Sequence, residues 1–226
     1  MVLPRYADIH LPLITLIMKT KVHTIKEAEV FLGQHFELTE EERNIKLDSG
    51  RRQFYTQVNF SIMLLKRNGY IFKEIKPFIA TLKARNHLKL VKQYYINELK
   101  GLTDTQFEHF SGILLAKMFD VDYINDVEIT PPQNDGGIDG IVHLKDSDIY
   151  FESKCYSKNS IPPLYLRSFV GALEGVNGKR GFFVTTSNYS RESKEYIRDL
   201  SRHDITLIDG QKLAQLIIDY KIMNMT

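Results

Sequence analysis

Three residues close together could do chemistry: Asp139, Glu152 and Lys154. Residues 149–155 alternate apolar and polar side chains, the pattern of a half-buried strand, so Glu152 and Lys154 project from one face two residues apart. Residues 138–144 alternate in the same way, and Lys145, Asp146, Ser147 and Asp148 form a polar turn between the two runs. Hairpin pairing would bring Asp139 beside Glu152 and Lys154. Two carboxylates on neighbouring strands suit a hard divalent cation held by oxygen. Such a cation stabilises charge on a phosphate and helps generate hydroxide from water. A lysine beside it can position or deprotonate that water, or neutralise the transition state. The chemistry this arrangement suits is metal-dependent phosphodiester hydrolysis, with Mg²⁺ as the cation and Mn²⁺ able to substitute. Spacing alone also fits a solvated hairpin with mixed charges, because an E-x-K triplet arises often by chance.

The hairpin needs a turn before it and a sheet to join. Pro131, Pro132, Asn134, Asp135, Gly136 and Gly137 form a cluster that neither a helix nor a central strand tolerates. Upstream, residues 105–119 predict a helix with Phe107, Phe110, Leu114 and Phe119 toward a core, and residues 124–130 predict a first strand. Downstream, the order is helix 164–176, buried strand 181–186, helix 191–202, strand 205–208 and helix 211–220. This α-β-β-β-α-β-α-β-α order predicts a mixed sheet sandwiched by helices. Thr185, Thr186 and Ser187, at a strand end, are placed to touch DNA phosphates or to cap the next helix. No His/Asp partner for Ser187 is evident, which argues against a serine hydrolase. Gly136, Gly137 and Gly140 do not open a helix after a strand, which argues against a dinucleotide loop.

The blocks Asn-Asp-Gly-Gly-Ile-Asp-Gly (134–140), Glu152-Ser-Lys154, Phe169-Val-Gly-Ala-Leu173, Gly181-Phe-Phe-Val-Thr-Thr-Ser187 and Leu207-Ile-Asp-Gly210 occur in that order. Over about residues 104–220 the chain resembles the catalytic domain of the Mrr family of restriction endonucleases, a branch of the PD-(D/E)xK nucleases. The resemblance implies a restriction-endonuclease-like fold with Asp139, Glu152 and Lys154 as catalytic core and Asp139 and Glu152 as metal ligands. It also implies that a helix acid, Glu108, assists them from behind. Many members of that family have Gln where this chain has Glu152; Glu is the more usual choice among these nucleases generally.

Before the catalytic part the chain changes character. Residues 1–100 carry 17 Lys and Arg against 10 Asp and Glu, a net +7; residues 101–226 carry 13 against 18, a net −5. A basic half suits a polyanion and an acidic half suits a cation. Helices are predicted over 11–18, from Thr24 as a cap with Ala28, Phe31, Leu32 and His35 facing inward, from Thr39 to about Ser49-Gly50, and over 53–67. Two short strands follow around Lys76-Pro77. Helices followed by a hairpin is the layout of a winged helix, which places its last helix in a DNA groove. Residues 1–81 also resemble the N-terminal winged-helix domain of the same family, through Pro4-Arg-Tyr6, Leu38-Thr-Glu-Glu-Glu-Arg43, Ser49-Gly50 and Phe54 to Tyr70. Where that family commonly has Asn-Arg this chain has Thr56-Gln57, and Phe60 stands in for Trp.

Arg52, Gln53, Tyr55, Thr56, Gln57 and Asn59 are the candidates for reading bases, since amide and guanidinium groups bond base edges in pairs, and Arg51 beside them is a further DNA-binding candidate. Lys66, Lys73, Lys76 and Lys83 belong to a basic run over 66–92 that has one acid, Glu74, and suit phosphate contact. The apolar spacing of 83–101 predicts a helix rather than a loose linker. The expected organisation is a reader at 1–85, a helical connector at 86–103 and a nuclease at 104–226. One cysteine, Cys155, excludes an internal disulfide and fits a reducing cytoplasm; no leader or membrane span is evident.

The expected protein is therefore a Mg²⁺-dependent endonuclease of a restriction system that cuts foreign double-stranded DNA, with base-modified DNA among its expected targets. A double-strand break at one place favours two centres, hence a homodimer or higher homo-oligomer. Two other readings stay open on the residues: a repair, recombination or mobile-element nuclease, and a non-cleaving winged-helix regulator.

Overall fold

In the computed structural model, residues 3–72, 77–131, 136–156 and 160–222 are described. Lys73 and Lys76, and Pro132, Asn134 and Asp135 of the turn cluster, lie outside them. The chain divides into two compact units, Met1–Val91 and Lys92–Thr226. No helix among the described residues is long and apolar enough to cross a membrane.

The first unit is helical. Helix α1 (Tyr6–Lys19) begins earlier than the apolar run suggested, because Asp8 reaches back to the main-chain N–H of Arg5 at 2.8 Å and supports the first turn. Helix α2 (Ile25–His35) starts at Thr24, whose hydroxyl accepts from Glu27 N. Its inward face differs from the expected one. Ala28 and Leu32 are buried, but Phe31 is exposed and Glu29 takes an inward place at 1% exposure. Glu29 can sit there because two guanidinium groups meet it: Arg43 at 3.4 Å and Arg52 at 3.1 Å.

Helix α3 (Glu40–Arg43) is a single turn with the expected Thr39/Glu42 capping box. It stops well before Ser49-Gly50, since residues 45–53 turn back on themselves. Leu47 N bonds Arg51 O at 2.9 Å, and Lys46 and Arg52 form an antiparallel bridge. Helix α4 (Gln53–Arg67) has the predicted bounds, with Phe54, Val58, Ile62 and Leu65 buried against α1 and α2. Of the two expected strands, one antiparallel bridge is described, Ile71 to Ala80. Helix α5 (Leu82–Lys100) is continuous, as its apolar spacing predicted.

The second unit is a five-stranded mixed sheet flanked by helices, as expected. Helix α6 (Asp104–Phe119) is capped by Thr103 and packs on the sheet with Phe107, Leu114 and Leu115 buried. The stretch expected as a first strand begins as a one-turn helix, α7 (Tyr123–Asp126). The Asp122 carboxylate accepts from Ile124 N and Asn125 N there, a local bond that wins over strand propensity. Only β1 (Val127–Ile129) is extended. The hairpin is β2 (Gly140–Leu144) and β3 (Ser147–Lys154), in register Gly140–Phe151 through Leu144–Ser147.

Then come β4 (Ser160–Ile161), α8 (Pro163–Gly175), β5 (Arg180–Thr185), β6 (Asn188–Tyr189), α9 (Arg191–Arg198), β7 (Asp204–Ile208) and α10 (Gly210–Tyr220). The sheet order is β1-β2-β3-β5-β7, antiparallel across β1-β2-β3 and parallel across β3-β5-β7. The two-residue strands β4 and β6 pair separately, a feature too short to show as periodicity.

Candidate active site

Three local devices bring Asp139 to its place. Gly136 and Gly137 take positive φ, 47° and 96°, so the chain turns into the sheet where a side chain would be strained. Gly140 then lets β1, β2 and β3 approach closely: a Cβ there would lie 2.5 Å from Glu128 O and 2.6 Å from the Phe151 ring. Between them, Asp139 donates its main-chain N–H to Phe151 O at 2.9 Å and accepts from Thr130 N at 2.9 Å. The ladder ends at the Gly140–Phe151 pair, and Asp139 lies just beyond it, its carboxylate 2.6 Å from the main-chain nitrogen of Ser153, the residue after Glu152.

Both carboxylates are buried, Asp139 at 7% exposure and Glu152 at 4%. Lys154 Nζ lies 3.3 Å from Glu152 Oε1, and its ammonium sits 5.5 Å from the centre of the Tyr165 ring on α8. Burial pulls the Lys154 pKa down, but the charges of Glu152 and then Asp139 outweigh it and leave it above the usual lysine value. Lys154 is therefore a cation at neutral pH. The hairpin thus assembles the three residues as their spacing predicted.

The carboxyl end of β3 is held by its neighbour. Thr185 donates its hydroxyl to Lys154 O at 2.8 Å, and Thr186 Oγ1 accepts from Tyr156 N at 3.1 Å and donates to Tyr156 O at 3.2 Å. These two threonines bond the main chain, while Ser190 caps α9. Their place at the strand end was legible; their partners, some thirty residues back, were not. Ser153 is a further residue that spacing did not single out. Its main-chain N–H and its hydroxyl both donate to Asp139 Oδ2, at 2.6 and 3.0 Å.

The donor set fits a hard cation. It offers carboxylate oxygens on two adjacent strands beside a fixed positive charge, and Mg²⁺ ordinarily uses one or two carboxylates and keeps several waters. Among the described residues no group of three or more His, Cys, Asp or Glu is gathered as a metal cage. Glu108 is half-buried on α6, the helix that packs on β1, β2 and β3, and does not complete such a group.

The candidate reading face in the first unit is the amino-terminal part of α4. Arg51, Arg52, Tyr55, Thr56 and Asn59 line a depression of about 410 Å³. Their roles separate on inspection. Arg52 commits both terminal nitrogens to Glu29, at 3.1 and 3.3 Å, so its guanidinium braces the helix rather than standing ready for a base. Thr56 turns its hydroxyl back onto Arg52 O at 2.9 Å. Gln57 is half-buried, and its Oε1 is buried with no hydrogen-bond partner among the described residues.

The Arg52 guanidinium also lies 5.4 Å from the centre of the Tyr55 ring, which leaves Arg51, Gln53 and Asn59 as the remaining candidates. Lys66 lies over the Phe78 ring at 5.0 Å, and exposed Lys83 donates to Asn68 O at 3.0 Å and lies over Tyr70 at 4.8 Å. Both ammonium groups thus help tie the Ile71–Ala80 bridge region to helices α4 and α5.

Residues 99–217 match the model of a family described as restriction endonuclease, Mrr_cat. The type IV methyl-directed restriction enzyme EcoKMrr of Escherichia coli (strain K12) is 28% identical over 130 residues, covering 55% of this chain and 42% of that protein. Two solved structures are similar. The DNA modification-dependent restriction endonuclease AspBHI has a TM-score of 0.45 at 22% identity, over 63% of this chain and 36% of the other. The MspJI restriction endonuclease, in complex with a 27-mer oligonucleotide, has 0.48 at 19%, over 81% and 45%. The chain spans less than half the length of each of these relatives.

Proposed function

The chain belongs to the Mrr_cat family of restriction endonucleases, and from that premise we propose that it hydrolyses phosphodiester bonds of double-stranded DNA carrying modified bases. The observation that supports this best is the pair of buried carboxylates, Asp139 and Glu152, carried by one hairpin, with Lys154 3.3 Å from Glu152. Asp139 and Glu152 would hold Mg²⁺, with Mn²⁺ as a substitute. When bound, the cation supplies charge on the phosphate and makes the attacking water more acidic. Lys154 contributes positive charge to the phosphate as negative charge builds there. Tyr165, Thr185 and the Glu152 carboxylate restrict its movement. Glu108 supports the site from α6. Modified DNA as substrate class follows the methyl-directed relative.

Plasmid cleavage tests this reading. Supercoiled plasmid from a DNA-methylating host will be nicked or linearised with Mg²⁺ and spared with excess chelator, whereas plasmid from a methylation-deficient host will be cut far less. Equal cutting of both plasmids removes the substrate class; no cutting of either at any metal concentration removes the nuclease.

The first unit acts in this reading as a winged-helix DNA reader. Helices followed by the Ile71–Ala80 bridge, a depression on α4 and an excess of basic residues support that assignment. We place the reader at 1–85, the connector at 86–103 and the nuclease at 104–226. A fragment of residues 1–100 will bind duplex DNA by itself. Four phosphate contacts would make its affinity fall on the order of a hundredfold between about 50 and about 200 mM salt. Arg51→Ala will weaken binding to every sequence, and Asn59→Ala will change preference among sites. Fluorescence anisotropy at several salt concentrations checks this; a fragment without affinity at low salt is not a reader.

A further inference from the structure

We propose that Ser153, the residue between Glu152 and Lys154, is a positioning residue of the carboxylate pair and sets its affinity for the divalent cation. The proposal rests on the reading of Asp139 as a metal ligand. The main chain of Asp139 is fixed on both sides, by Phe151 O and by Thr130 N. What the ladders leave open is the rotation of its side chain. Ser153 sets that rotation with two hydrogen bonds to a single oxygen, Oδ2, from its N–H at 2.6 Å and its hydroxyl at 3.0 Å. Both residues are buried, at 7% exposure each, so water competes little for these bonds.

The main-chain bond has a topological origin. Strand β2 begins at Gly140, and beyond it the Ser153 N–H finds its acceptor in the Asp139 carboxylate instead of in a strand carbonyl. Any residue but proline at 153 would keep that bond. The hydroxyl is specific to Ser or Thr, and it turns a single tether into a two-point grip. Groups that orient a metal ligand in this way commonly change metal affinity 10- to 100-fold when removed.

The test titrates Mn²⁺ alone into the full chain by calorimetry and follows cleavage as a function of Mg²⁺. Ser153→Ala will weaken Mn²⁺ binding about tenfold and raise the half-saturating Mg²⁺ by a similar factor, and added metal will recover much of the lost rate. Ser153→Thr, which keeps the hydroxyl, will titrate near the wild type. If alanine disturbs the fold, as thermal melting will show, Ser153→Cys conserves volume while donating weakly and carries the same comparison. Asp139→Asn separates this inference from the reading beneath it. Loss of Mn²⁺ binding in Asp139→Asn with wild-type titration in Ser153→Ala overturns the role of Ser153 alone. Mn²⁺ binding that is absent from the wild type, or unchanged in Asp139→Asn, overturns both. A Ser153→Thr variant as weak as Ser153→Ala removes the hydroxyl from the account.

Discussion

Alanine at Asp139, Glu152 or Lys154 will each lower plasmid cleavage at least about a hundredfold, the size of effect expected when charge stabilisation is lost from a transition state. The fold will tolerate the changes unequally. Glu152→Ala leaves Lys154 without its partner, but that side chain is 35% exposed and can turn its ammonium to water. Asp139→Ala leaves two buried donors on Ser153 without their acceptor, at a cost of about 1–3 kcal/mol. Asp139→Asn keeps an oxygen for Ser153 and so isolates the loss of charge. Cleavage assays beside melting curves check this. Full activity in Lys154→Ala would remove that residue from the mechanism.

The same variant probes assembly. The two strands of DNA run antiparallel and each copy carries one carboxylate pair, so we propose that two copies act together. Wild type mixed with excess Asp139→Ala will then accumulate nicked circles. Linear product at the undiluted rate, with no nicked intermediate, counts against pairing.

Replacing Arg43 and Arg52 together by alanine will destabilise the first unit by about 3–5 kcal/mol, because it strands Glu29 as a buried charge with neither guanidinium partner. At 1% exposure the carboxylate has no route to water. Either single variant will cost much less, since the other arginine remains within 3.4 Å. Urea titration of residues 1–100 measures the difference. The triple variant Glu29→Met, Arg43→Leu, Arg52→Met should regain most of the loss, as buried ion triads are often replaceable by apolar side chains of similar volume. A double variant that loses under about 1 kcal/mol would mean that Glu29 is hydrated.

Glu29 also shows where sequence reading stops. Periodicity assigned Phe31 to the inside of α2 because it ranks residues by hydrophobicity, and a carboxylate ranks last. What reverses the order is a pair of arginines 14 and 23 residues away, which no local window contains. The one-turn helix at Tyr123–Asp126 and the early end of α3 were hidden for a related reason: one side-chain or turn bond decides each, and such bonds leave no period. Helices α4, α5 and α6 were legible nearly to their ends because apolar stripes and capping residues are written in consecutive positions. The hairpin of the candidate site was legible for the same reason. Strand alternation and a glycine turn are local signals, and they suffice to bring Asp139 onto the hairpin that carries Glu152 and Lys154. The grip of Ser153 and the threonine contacts to the end of β3 depend on pairing and were not.

The sheet changes from antiparallel to parallel at β3, and this has a consequence for the order of assembly. Gly140 pairs with Phe151 eleven residues on, whereas Phe151 pairs with Phe182 thirty-one residues on, across the α8 crossover. Closing a short hairpin takes microseconds, and contacts across long loops form later because more chain entropy must be lost first. The hairpin that carries both carboxylates is therefore the short-range part of the sheet, and the pairing of β3 with β5 is the long-range part that closes later. The placement of the proposed metal ligands thus depends mainly on local chain, and the parallel half of the sheet closes onto that hairpin.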